Sequence, residues 1–347
     1  MPPRPTRTGE GINVGALSVN ARRKSQHLPR HTPSAWWWAA ILGVLAASSA
    51  AQQPGPRYGH ELVYDESSER VLLFGGFHDD GEPLGDTWVW DGEDWQLASQ
   101  EGPQARKWPA SAHDSRRKQT ILFGGRAGIG QTGDSLSDTW AWEKNRWRRL
   151  DVDAPPARDH HRMVYDRKRE RIVLFGGWNG EALLADTWEW DGTRWERVAD
   201  SGPPGRAPFG LAYDERSERV ILFGGKTLDT FFADTWAWDG TRWDRLDVTA
   251  PSPRAFHAMT YDSVAGHILL FSGRRDETML ADTWAWDGSS WIRLARDGPR
   301  RRGVYAMVFD RARRQTMFYG SGIREADRWI LRAETWLWRG QHWRKAP

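Results

Sequence analysis

The chain has 347 residues, no cysteine, 24 tryptophans and a formal net charge of +3. The missing cysteines exclude a disulfide framework, a thiolate metal site and a cysteine nucleophile. Residues 1–50 hold six basic residues against one acid, which leaves 43 basic and 45 acidic residues, a net charge of −2, in the rest; that body gives no charge argument for nucleic acid.

The leader, residues 1–51, reads as an export signal: basic residues (Arg4, Arg7, Arg22, Arg23, Lys24, Arg30), the apolar run Ala35 to Ala47, then Ser48-Ser49-Ala50-Ala51. Cleavage is expected near Ala50. About 13 apolar residues fall short of the roughly 20 that span a bilayer, so no stable span is expected in the mature chain, with a retained signal anchor as the alternative. Export places the protein at the cell surface, in a periplasm or in the medium.

From residue 52 on, one pattern is written six times. Asp-Thr-Trp, or Glu-Thr-Trp in the last copy, begins at Asp86, Asp138, Asp186, Asp234, Asp282 and Glu334, at intervals of 52, 48, 48, 48 and 52 residues. A fixed period of this size signals a repeat architecture. In the first copy, 58–64 and 70–75 are expected strands around the polar connection 65–69. Gly75-Gly76 and a variable loop (77–85) follow. Thr87 to Trp90 and Trp95 to Ala98 are then two strands around Asp91-Gly92, whose glycine permits the positive φ of a tight hairpin. Four short antiparallel strands per copy predict an all-β, six-bladed β-propeller occupying 52–347. The blades are expected at about 57–103, 104–156, 157–204, 205–251, 252–299 and 300–347, with the ring closed by packing the first blade on the sixth.

A hydrophobic run, a double glycine and two spaced aromatics resemble the Kelch repeat. The spelling Asp-Thr-Trp-x-Trp-Asp-Gly-x-x-Trp is similar to a Trp-rich bacterial variant of it, over roughly 57–347. Departures are local: Ser272 replaces the first glycine of the fifth copy and Ser321 the second of the sixth. The resemblance implies an interaction module. It also brings in two enzyme types. The galactose-oxidase type, which needs a Tyr–Cys cofactor, is excluded by the absence of cysteine. The sialic-acid mutarotase type is the alternative reading, with Glu61, Arg162, His161 and Glu325 as residues it would recruit.

Recurring residues serve the frame. Eighteen of the tryptophans recur in register and are expected to pack blade on blade. Arg57, Arg106, Arg158, Arg206, Arg254 and Arg302 are expected to pair with the acid that opens Asp-Thr-Trp. A site should lie where blades differ, on the rim shared by the second-to-third-strand loops and the blade linkers. The candidates there are His60, Trp108, Asp159, His160, His161, Trp178, His257, Arg274, Arg275, Tyr305, Glu325 and Trp329. His60, His161 and His257 fall in alternate blades and raise a metal site, against which stands the lack of any local ligand spacing. No catalytic residue, metal or cofactor is expected; a protein or glycan partner is, and no nucleic acid.

Overall fold

The computed structural model describes residues 53–129, 133–299, 302–303, 306–325 and 328–346, with backbone alone for 302, 321, 323–325 and 328–329. The leader and Tyr305 lie outside them. Six antiparallel sheets follow one another along the chain, each built from one continuous segment. Together they form a six-bladed propeller. In the first blade the strands are Glu61–Asp65, Arg70–Phe74, Thr87–Trp90 and Trp95–Ser99, in that order from the channel outwards.

The first strand starts three residues later than its apolar run predicts. Gly59 takes a left-handed φ of 68°, and Tyr58 pairs instead with Phe77 on the rim. A side chain at position 59 would stand 2.7 Å from the Trp108 ring, so glycine answers two demands here.

Second strands such as Ile172, Val173, Leu174 and Phe175 are fully buried, because a blade has neighbours on both faces. Each blade turns its tryptophans towards the preceding one: Trp195 packs on Phe123 at 5.5 Å, Trp243 on Phe175 at 5.2 Å and Trp291 on Phe223 at 5.1 Å. The same indole donates to the threonine of the neighbour's Asp-Thr-Trp at all six interfaces: Trp147 to Thr87, Trp195 to Thr139, Trp243 to Thr187, Trp291 to Thr235, Trp343 to Thr283 and Trp95 to Thr335, at 2.8–3.1 Å. The last of these joins the first blade to the sixth, and Trp95 also packs on Tyr319 at 5.0 Å. Among the described residues the ring therefore closes by packing, with no strand exchanged between the two blades.

The five recurring arginines whose side chains are described pair as their spacing suggests. Arg158 makes a two-pronged contact to Asp186 at 2.8 and 2.9 Å and donates to the Gly176 carbonyl, while Trp188 donates to the same Asp186. Arg57, Arg106, Arg206 and Arg254 repeat this with Asp86, Asp138, Asp234 and Asp282. The other recurring acid plays a separate part. Asp166 caps the first hairpin turn of its blade by accepting from the Arg169 backbone N–H.

The last two blades depart where their glycines do. Ser272 holds the left-handed conformation (φ 70°) that glycine supplies elsewhere, and the loop beyond it folds into a small hairpin, Arg274–Arg275 with Thr278–Met279. In the sixth blade, where Ser321 stands in place of glycine, the strand does not end: Gln315–Glu325 pairs with Arg328–Trp338 across a register shift.

Candidate functional site

Alternating strand direction puts the second-to-third-strand loops at one mouth of the channel. The residue after each double glycine lines this mouth and bridges to the segment ahead of the first strand: Phe77 with Tyr58, Arg126 with Lys107, Trp178 with Asp159, Arg274 with Ala255. The sixth blade has glycine at both of these positions, Gly303 paired with Gly322. Missing side chains there leave an apolar cavity of about 340 Å³, walled by Tyr58, Phe77, Phe256, Met279 and Leu331, with Arg274 at its edge. Phe77 and Tyr58 meet edge-on at 5.9 Å. Burial pushes the Tyr58 hydroxyl far above its ordinary range, so it stays a neutral phenol.

Among the residues singled out from sequence, several belong to the frame. His60, His161 and His257 are fully buried and turn into three different blade interfaces, against Tyr319, Phe123 and Phe223. They do not converge on the channel. Among the described residues, no group of three His, Cys, Asp or Glu is placed to hold a metal ion. Burial lowers His60 and His257 to about 3 and His161 well below its usual value, so all three are neutral.

Trp108, His160 and Asp159 form one cluster. Trp108 stacks on His160 with centroids 4.1 Å apart, and both hold left-handed backbones, φ 53° and 55°. Asp159 is buried and accepts from Arg126 Nε at 2.9 Å, from Ser135 Oγ at 2.8 Å and from His160 Nδ1. Burial alone would raise the Asp159 carboxyl; its donors outweigh that and hold it below the ordinary range. The faces of Trp108 are thus used inside the protein, leaving it only 7% exposed. Trp178 is half-buried on the mouth, Arg274 half-buried and Arg275 exposed. Arg274 pairs with Glu277 at 3.2 Å and Arg275 with Asp276 at 3.8 Å. Tyr305 lies outside the described residues, and Glu325 and Trp329 are placed only by backbone, at the tip of the long hairpin.

Of the residues the enzyme alternative would recruit, Glu61 and Arg162 meet in the channel at 3.2 Å, while His161 turns away into a blade interface. At the opposite mouth lies a charged group unnoticed in the sequence. The residue after the recurring first-strand Asp reads Glu66, Ser115, Arg167, Glu215, Ser263, Arg311, the same three types written twice. Glu66, Arg167, Glu215 and Arg311 join in a ring of alternating charge that crosses the channel. Aligning the copies by their turns makes this signal visible.

The fold and this loop-lined mouth define the class: a six-bladed β-propeller. The model of the KLHDC2/KLHL20/DRC7 Kelch-repeats domain matches residues 45–199. An F-box/kelch-repeat protein of Arabidopsis thaliana is 34% identical over 140 residues, covering 36% of this chain and 28% of the plant protein. Residues 45–199 are thus similar to Kelch repeats, and the same four-stranded blade continues along the chain to residue 346. Among the described residues, no helix is long and apolar enough to cross a membrane.

Proposed function

We propose that this propeller is a non-catalytic binding module, acting outside the cytoplasm, that recognises a protein or glycan partner through the loop-lined mouth. One observation carries the reading. The apolar cavity between the first, fifth and sixth blades presents Phe77 and Phe256 beside Arg274, a combination of aromatic anchors and one cation suited to a partner's side chain. Most ionic groups nearby are satisfied within the protein, as in Arg274–Glu277 and Glu61–Arg162, which suits recognition better than chemistry. The leader supports the extracytoplasmic setting; a mature N-terminus at or next to Gln52 is the expected product of export.

A photo-crosslinking amino acid placed at Phe77 or Phe256 should capture a discrete partner in the exported fraction. The same probe at Thr193, an exposed turn residue on the opposite mouth, should not. Equal capture at both mouths would sink the assignment of the surface, and Leu331→Asp, which charges the cavity wall, should abolish capture at Phe77.

A further inference from the structure

The innermost strands line the channel, and one of them breaks the pattern of the other five. Their second residue is apolar in Leu62, Met163, Leu211, Met259 and Met307, but in the second blade it is Ser111. Their fourth is aromatic in Tyr64, Tyr165, Tyr213, Tyr261 and Phe309, but here it is His113. Both exceptions are buried, at 9% and 8% exposure; His113 Nε2 makes no hydrogen bond, and Ser111 Oγ meets only the Glu61 carboxyl. Native proteins rarely leave such an atom unpartnered, and His113, unlike the three interface histidines, lines the channel, so its Nε2 points to a group in that space. His113 Nδ1 lies 3.1 Å from Thr120 Oγ1 and 3.6 Å from the Asp65 carboxylate. The nearby carboxylate favours a proton on Nδ1, the tautomer that leaves Nε2 as an acceptor. Glu61 of the first blade stands close to Ser111, tied to Arg162 at 3.2 Å. All four residues line a channel of about 210 Å³, room for about seven waters or one small solute.

We propose that the seam between the first and second blades binds a small neutral polyol, whose hydroxyls reach Ser111 Oγ, His113 Nε2 and the Glu61 carboxyl. A hydroxyl can donate to an imidazole acceptor and exchange either role with serine, which neither a carboxylate nor an ammonium can do. The ligand is neutral because the channel's charges already cancel: Glu61 with Arg162, and Glu66 and Glu215 with Arg167 and Arg311. The site is separate from the apolar cavity at the mouth and stands or falls without it.

The test is saturation-transfer NMR on the full chain with glycerol, erythritol and myo-inositol, and glycerate as the anionic counterpart. Thermal shift is a poor readout, since polyols stabilise folded proteins generally by exclusion. Transfer to at least one neutral polyol is expected, and none to glycerate. The double variant Ser111→Leu/His113→Tyr gives the second blade the residue types its neighbours carry, so it should fold and yet weaken binding about tenfold or more. Ser111→Ala, which adds no volume, should weaken it in the same direction. Absence of transfer from all three polyols, equal transfer in the double variant, or stronger transfer to glycerate overturns the proposal.

Discussion

Arg158 has no exposed surface, and its guanidinium is held by Asp186 and the Gly176 carbonyl. Such a pair is weak evidence of net stabilisation, because desolvating both charges offsets their attraction, but losing one partner strands the other. Arg158→Ala should therefore destabilise the protein by about 3 kcal/mol or more, measured by denaturant unfolding. Arg158→Lys should recover only part of this, since an ammonium cannot make the two-pronged contact. A loss below about 0.5 kcal/mol would mean that water reaches Asp186 and that the recurring pair is ornamental. Single residues also mark the limit of the sequence. The spacing of Arg and Asp suggested their pairing, because both recur in every copy. The burial of Trp108 was not legible, because its direction depends on a left-handed backbone and on His160 from the next blade.

At the scale of a strand, the third one serves two blades at once. Thr187 pairs in the sheet with Phe175 and accepts from Trp243 of the next blade at 2.9 Å. Thr187→Val keeps the shape and removes the acceptor, leaving a buried indole N–H unpaired at a cost of about 1–3 kcal/mol. Unfolding of this variant against Thr187→Ser, which keeps the hydroxyl, separates the hydrogen bond from the packing; equal losses would assign the effect to shape alone. The strands were legible because the hydrophobic run, the double glycine and Asp-Gly each fix a turn or a buried face. The apolar cavity was not, because it exists through what the sixth blade omits, side chains at Gly303 and Gly322, and an omission shows only once the copies are superposed in register.

For the whole molecule, the three interface histidines set an acid limit. Each has its folded pKa lowered by burial from an unfolded value near 6.5, to about 3 in His60 and His257, so the unfolded chain binds more protons than the native one between those values. Their contribution is complete above pH 6.5 and is lost as pH falls towards 3, by about 1.4 kcal/mol per pH unit for each histidine. Glu61 works in the opposite sense between about 4.5 and 7. Stability should thus fall steeply below pH 6, and His257→Phe, if it folds, should flatten the slope; an unchanged slope would show that the histidines charge in place.

The tryptophan-to-threonine bonds have a further consequence. The junction between Trp95 and Thr335 has the same donor and acceptor as the five that follow chain order, so the fold does not record which blade was made first. A permuted chain that starts at Gly202, in the exposed linker, and joins residue 346 to residue 53 should assemble the same ring. Covalent order would then be incidental to this architecture, and new loops or fused domains could be introduced at any linker without first asking where the circle was cut.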